Sequence, residues 1–326
     1  MTKKPVRIAI VGTGVMGANH ARVALRTPGL VLVGVVDIDE QKRSSLAATS
    51  GTEQASTIGE LMTKSPVDAV VVASPTAFHH ELASECLDAG LHVLVEKPIA
   101  STIAQALDLA TRAEKAGVVL TVGHIERFNP AVRELLTQSQ SPIHIQLERV
   151  GPFTPRVSDN VVLDLMIHDL DLARMLARSE VCDVQAIQQA PHTAGPDMAI
   201  ALLTFENGVT ASVTASRISQ QRLRRIFITE KDAVLAADLI RQDVMIHRMQ
   251  HVEYVSDGGA RIRQSGMVEM PFIENRNEPL AEELKAFVGA IQNGTQTVTA
   301  EDGIAALHLV DWVLRGKSPV DSPPPK

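Results

Sequence analysis

Cysteine is nearly missing from this 326-residue chain, which has only Cys86 and Cys182, far apart. Two distant cysteines form neither a disulfide framework nor a CxxC redox or metal motif. Cys86, with Leu82, Ala83 and Leu87 at helical spacing, reads as a buried structural residue. Aromatics are as scarce: seven Phe, one Trp and one Tyr, too few for a platform of stacked bases. Positive charge is not in excess, since 31 Lys and Arg face 38 Asp and Glu for a net charge of −7. That balance argues against a broad nucleic-acid surface. Apolar runs are short, and Val67 to Ala73, interrupted by Asp68, falls far below the roughly 20 residues that cross a bilayer. No signal-peptide-like stretch precedes Val6, so a reducing cytoplasm and no membrane association are expected. Neither HExxH nor CxxC spacing occurs, and no metal site is expected. Whatever this chain holds, it holds with backbone, charge, hydroxyl and amide groups.

What is present is a rhythm. From Val6 to Val122, short apolar strands (Val6 to Val11, Val31 to Val36, Val67 to Ala73, His92 to Val95, Val118 to Val122) alternate with amphipathic stretches near Met16 to Arg26, Glu40 to Thr49, Phe78 to Ala89 and Ile103 to Ala116. Strands of Val, Ile and Leu without polar alternation need cover on both faces, which predicts a doubly wound (Rossmann) parallel sheet over residues 1–122. After Gly123 come a helix following Pro130, a strand from Ile143 to Val150, a helix from Val161 to Leu176, and β-rich runs from Cys182 to His247 with an Asn207-Gly208 hairpin signal. Residues 123–317 therefore read as an α+β domain with an antiparallel sheet, closed by helices near Pro279 to Gln292 and Ala300 to Leu314. The proline-rich tail, 318–326, is expected to be disordered.

Gly12, Gly14 and Gly17 form GTGVMG between the first strand and first helix. The first glycine permits the tight turn, the second lets backbone approach a pyrophosphate, and the third lets helix pack on strand. The pyrophosphate meets the helix N-terminus, where N–H groups and the macrodipole favour an anion. Asp37 ends the second strand twenty residues after Gly17, where an acid accepts hydrogen bonds from the adenosine ribose. A carboxylate there repels a 2′-phosphate, and Ile38-Asp39-Glu40 brings no arginine to neutralise one. NAD rather than NADP is the expected cofactor.

GTGVMG, SPTAFHHELA (Ser74 to Ala83) and AGLHVLVEKP (Ala89 to Pro98) resemble, in order and spacing, the glucose-fructose oxidoreductase, inositol dehydrogenase and MocA family. The resemblance covers nearly the whole chain and implies an NAD(P)-dependent sugar or polyol oxidoreductase whose second domain carries an open-faced antiparallel sheet. It implies cofactor contacts from Gly12, Thr13, Gly14, Val15, Met16 and Gly17, from Asp37, from Ser74, Pro75, Thr76 and His79, and from Glu96 and Lys97. Lys97 follows a strand's carboxyl end, where ligands bind in open α/β sheets, and its ammonium can stabilise developing alkoxide charge.

In VVLDLMIHDLDLAR, Asp164, His168 and Asp171 fall at helical spacing on one face, and Asp169 points elsewhere, structural or solvated. An acid four residues from a histidine can fix its tautomer for general base work. A plain helix salt bridge would have the same spacing. The family's DxxxHxxD pattern matches here, which makes Lys97, Asp164 and His168 its catalytic positions. Met166 stands where many members carry glycine. With VGHIERFNPA (Val122 to Ala131) that variant most resembles the branch oxidising UDP-linked N-acetylglucosamine at C3, whose ketone passes to an aminotransferase towards a 2,3-diamino sugar of lipid A. Oxidases of the corresponding uronate are the nearest alternative, and a non-catalytic dinucleotide sensor is one from a different class. Substrate contacts are expected from His124, Glu126, Arg127, Asn129, Arg156, Asp164 and His168. Glu126 and Asn129 either contact sugar hydroxyls or cap the next helix. Arg127, Arg156, Arg217 and the Arg222, Arg224, Arg225 cluster either meet a pyrophosphate or are ordinary surface charges. His20 reads as packing. Self-association as a dimer or tetramer through the open sheet face is also implied.

Overall fold

The Val- and Ile-rich runs of the first third become a parallel sheet covered on both faces. The computed structural model describes residues 4–153, 159–256, 259–273, 276–295 and 298–317. They form two compact units, one holding the chain up to Phe128 together with Asn277–Leu307, the other Asn129–Arg276 and the chain from His308. The division expected at 122/123 misses this return of the C-terminal segment.

The first unit runs β1 (Val6–Val11), α1 (Val15–Ala24), β2 (Leu30–Val36), α2 (Glu40–Ser50), β3 (Glu53–Ala55), α3 (Ile58–Lys64), β4 (Ala69–Val72), α4 (His79–Asp88), β5 (His92–Glu96), α5 (Ile103–Ala116) and β6 (Leu120–Gly123). The sheet order is β3-β2-β1-β4-β5-β6, so the order reverses between β1 and β4 and opens a crevice at their carboxyl ends. Local chemistry sets the helix ends. Thr102 caps α5 by accepting from Gln105 N, and Gly117 closes it in the left-handed region at φ 66°. β3 and α3 have no counterpart among the elements expected from sequence. Three residues make no apolar run, but Thr57 and Glu60 form a capping-box start, Thr57 Oγ1 accepting from Glu60 N while Glu60 Oε2 accepts from Ser56 N.

The chain returns as α8 (Pro279–Asn293). Leu280, Leu284, Phe287 and Val288 join Ile8, Ile10, Ala21, Val71 and Leu94 in one buried cluster. Each such side chain contributes about 1.5–3 kcal/mol by leaving water, which is why this segment belongs to the first unit.

The second unit holds α6 (Pro130–Gln138), β7 (His144–Val150), α7 (Ile167–Ala177), β8 (Val181–Gln189), β9 (Met198–Phe205), β10 (Thr210–Ser216), β11 (Leu223–Thr229), β12 (Ala233–Asp238), β13 (Asp243–Ser256) and β14 (Gly259–Glu269). A last helix, α9 (Ala300–Arg315), starts in the first unit and ends in the second. The eight-stranded sheet, ordered β14-β13-β12-β11-β7-β10-β9-β8, is mixed rather than wholly antiparallel. β7 and β10 run parallel, Ile145 beside Ala211 and Leu147 beside Val213, because the long excursion through α7, β8 and β9 returns the chain in the same direction. Alternation then sorts the faces. Val184, Leu203, Ala211, Ile145, Ile228, Leu235 and Ile246 lie in one buried row. The opposite face carries Leu202, Ser212, Gln146, Phe227, Ala236 and Met245 and is open.

The helix expected from Val161 begins as a π-helical turn over Val162–Met166 before α7. Asn160 caps it, its Oδ1 accepting from Val162 N and Leu163 N. Such widened turns recur at functional sites.

Candidate active site

Each glycine of GTGVMG has a distinct steric reason. Gly12 sits at φ +95°, and a Cβ there would lie 2.6 Å from Ala73 O. A Cβ on Gly17 would lie 1.8 Å from Gly12 O, so the first turn of α1 packs against the loop only if this residue is glycine. A Cβ on Gly14 meets nothing within 4 Å, and Gly14 caps α1 without a side-chain bond. The first turn therefore offers its N–H groups outward beside open space, which suits a pyrophosphate. Asp37 accepts from Thr13 N and Thr13 Oγ1, both at 2.7 Å, and from Asp39 N at 2.9 Å. Burial works to raise its pKa, but the bonds from Asp39 and Thr13 and the charge of Lys42 outweigh that and bring it below the ordinary aspartate value. Asp37 is thus an anion at neutral pH, and Thr13 fastens it to the glycine loop. Arg43, unremarked in the sequence, approaches the carbonyls of Asp37 and Ile38, each at 3.3 Å.

At the carboxyl ends of β4 and β5, His79 bridges two loops. Its Nδ1 lies 2.7 Å from Pro98 O and its Nε2 2.8 Å from Ser74 O. The ring is 1% exposed, so His79 shapes the Ser74, Pro75, Thr76 loop and the EKP turn. The Lys97–Pro98 peptide is cis. Lys97 is half-buried, whereas Glu96 is buried and turned inward. Glu96 Oε1 lies 2.7 Å from His20 Nε2, and Lys97 N donates to Glu96 Oε2 at 3.3 Å. A Cβ on Gly123 would stand 3.1 Å from Glu96 Oε2, so that glycine makes room for the carboxylate. Burial works to raise the pKa of Glu96, but the bond to His20 and the charges of His20, Lys97 and His79 bring it below the ordinary glutamate value. His20 is therefore a partner of Glu96 as well as a packing residue.

The ERFN segment, expected to contact substrate, is tied into the protein by its own bonds. His124 and Glu126 are both buried. Arg127 Nη1 donates to Asp302 at 2.9 Å, an ion pair inside the first unit. Asn129 takes the capping alternative: Oδ1 accepts from Ala131 N at 3.1 Å, Nδ2 donates to Leu239 O at 3.0 Å, and the residue is 3% exposed. Arg156 lies outside the described residues.

In the second unit Asp164 and His168 are partly exposed, the first on the π-helical turn and the second on α7. Asp171 is buried and does not share their exposure. Asp169 proves structural. Arg149 on β7 grips it through Nε at 2.9 Å and Nη2 at 2.8 Å, with both side chains 3% exposed. Arg217, a pyrophosphate candidate, is instead buried against Asp197, to which its Nε donates at 2.9 Å, and its Nη1 donates to Asp159 O beside the Asn160 cap. Among the described residues no group of three or more His, Cys, Asp or Glu is placed to hold a metal ion, and no helix is long and apolar enough to cross a membrane.

Comparison with known proteins fits this geometry. Residues 6–124 match the oxidoreductase family with an NAD-binding Rossmann fold, and residues 143–234 match the GFO/IDH/MocA C-terminal domain. The UDP-N-acetylglucosamine 3-dehydrogenase of Acidithiobacillus ferrooxidans is 31% identical over 97% of this chain and 98% of its own. The chain belongs to the GFO/IDH/MocA oxidoreductase family. A solved structure of that relative superposes with a TM-score of 0.86 at 29% identity, covering 96% of this chain and 98% of the other. A myo-inositol 2-dehydrogenase of Thermotoga maritima is 28% identical over 93% of this chain and 94% of its own. An oxidoreductase from Agrobacterium radiobacter, solved with NAD+, L-tartaric acid and magnesium, shares the fold at a TM-score of 0.81 and 17% identity, with 96% of each chain covered.

As a GFO/IDH/MocA oxidoreductase the chain uses NAD, and its first unit joins Thr13, Asp37 and the glycine loop in one cluster and His79, Glu96 and Lys97 in another. Glu283, on α8 and fully buried in the same unit, is not among the residues singled out from sequence. A lone glutamate in an otherwise apolar stripe, Leu280, Leu284, Phe287, was the available signal.

Proposed function

We propose that this protein is an NAD-dependent dehydrogenase that oxidises the C3 hydroxyl of UDP-linked N-acetylglucosamine to a ketone. The carrying observation is likeness over the whole length, 31% identity across 97% of the chain, to a dehydrogenase named for that reaction. The glycine loop and the uncapped first turn of α1 hold the pyrophosphate, and Asp37 accepts from the adenosine ribose hydroxyls. Bound NAD supplies the acceptor for the hydride that leaves the sugar carbon. His168 takes the hydroxyl proton; its Nδ1 is buried, which leaves Nε2 for that work, and Asp164 sets the basicity of the ring. The Lys97 ammonium hydrogen-bonds the reacting oxygen and stabilises the alkoxide as it forms. A ketone beside the acetamido carbon is a substrate for an aminotransferase, which would consume it and yield a 2,3-diamino sugar of the kind used in lipid A. In the same reading the protein works in the cytoplasm and associates with copies of itself through the open face carrying Ile187, Leu202, Val234 and Met245.

A second reading, oxidation of a free cyclic polyol, is favoured by the 28% identity to the inositol dehydrogenase. Thermal shift with NAD plus UDP-N-acetylglucosamine, its uronate or myo-inositol separates the readings, because stabilisation follows ligand concentration over Kd. The sugar nucleotide is expected to raise the Tm most. A larger shift with the uronate or with myo-inositol moves the substrate elsewhere in the family.

A further inference from the structure

Glu283 is fully buried on α8, and neither of its carboxyl oxygens has a hydrogen-bond partner among the described residues. It stands in a polar island within an apolar layer. Strand register shows how the island forms: Glu96 pairs with Gly123 and Leu94 with Thr121, and side chains two apart on a strand share a face. Glu96 and Thr121 therefore lie on the sheet face that carries Leu94, which packs with Leu280, Leu284 and Phe287 of α8. His20, fully buried on α1, bonds Glu96 through Nε2, while its Nδ1 and Thr121 Oγ1 are also buried without partners among the described residues.

The charged and titratable groups on the elements around Glu283 are few. α1 brings His20, and Arg22, which is paired with Glu278. The end of β5 brings Glu96 and then Lys97. The short helical turn Ile125–Phe128, packed against α8, brings Glu126 and Arg127, the latter paired with Asp302. His79 acts on Glu96 through its charge. On α8 itself, Glu282 is paired with Lys285. Burial, and then the charge of Glu96, push the Glu283 carboxyl well above the usual glutamate range. Two neighbouring buried carboxyls cannot both ionise cheaply, so they share one negative charge.

We propose that Glu283 is a positioning residue for Lys97: as the neutral acid it confines the buried negative charge to Glu96, directly before Lys97, and its ionisation at alkaline pH disrupts that arrangement. Ionised Glu283 would give up its proton to solvent and stand as a second buried carboxylate near Glu96, so Glu96 would no longer be the sole buried counter-charge for Lys97 and His20. The proposal rests on the role given to Lys97 above, but its first test does not depend on the substrate. A group whose pKa is raised by folding stabilises fully below its unfolded value, and that contribution is lost as pH rises through its folded value. The Tm of the protein without ligand should therefore fall as pH rises from the ordinary glutamate range through the raised folded value, and Glu283→Gln, neutral throughout, should lack most of that fall. The second readout is the pH profile of kcat on whichever sugar nucleotide or polyol is turned over. Glu283→Gln should keep kcat near neutrality and shift the alkaline loss of kcat upward, without a change in KM for NAD at neutral pH. Equal Tm profiles for the two proteins would overturn the buried neutral acid. A Tm difference with identical kcat profiles would overturn the positioning role. Glu283→Met is the second neutral isostere, and failure of both variants to fold would also count against the proposal, which requires that a neutral group suffice.

Discussion

Asp37 keeps its charge because three hydrogen bonds outweigh its burial, and that charge is its use to a ribose. Asp37→Asn preserves shape but turns an acceptor oxygen into a donor facing the loop. KM for NAD should rise about tenfold, equivalent to about 1.4 kcal/mol, and the preference over NADP should narrow; steady-state kinetics with both cofactors checks this. Because folding lowers the Asp37 pKa, the stability it brings is present at neutral pH and lost as pH falls through its folded value. Lys97→Met should lower kcat by about a hundredfold or more, as loss of a donor aimed at developing charge does. Fluorescence titration should find NAD affinity nearly unchanged, and an active variant would contradict the role given to Lys97. The glycine loop and Asp37 were legible because their chemistry is local. What Arg127, Asn129 and Arg217 bind within the protein was not legible, because only the fold brings Asp302, Leu239 and Asp197 to them. A candidate cation cannot be told from one half of a buried ion pair until the fold brings the other half.

At the scale of the element, the helical run carrying Asp164 and His168 depends on a buried ion pair, Arg149 with Asp169. Arg149 and Asp169 tie α7 to β7, and removing one partner leaves an uncompensated buried charge. Arg149→Met or Asp169→Leu alone should cost about 3–5 kcal/mol, and the double replacement should recover much of it; urea unfolding of the three variants reads the difference. The alternation of apolar strands and helices made the first sheet legible, β3 and α3 excepted, since a three-residue strand carries no period. The π-helical turn at Val162–Met166 was not, because a helical repeat in sequence is the same whether one turn is widened or not. Nor was the β7–β10 pairing. Parallel neighbours are chosen by where a long connection returns, and hairpin signals such as Asn207-Gly208 report only the antiparallel contacts.

For the whole molecule, the sequence conveyed an NAD-binding α/β unit followed by an α+β unit, and the family match agrees with both. It did not convey that α8 belongs with the first sheet, since an amphipathic stripe declares that it is buried without saying against what. Net charge and aromatic poverty are compatible with two anionic small ligands, because backbone N–H groups and a few placed side chains recognise a pyrophosphate without a basic surface. The substrate is where family likeness is thinnest, with a sugar-nucleotide dehydrogenase and inositol dehydrogenases among the relatives. Isotope transfer addresses it most directly. UDP-N-acetylglucosamine deuterated at C3, incubated with the protein and NAD, is expected to yield singly deuterated NADH by mass spectrometry. Unlabelled NADH from that substrate, or no NADH from it while myo-inositol is oxidised, would contradict C3 oxidation of the sugar nucleotide.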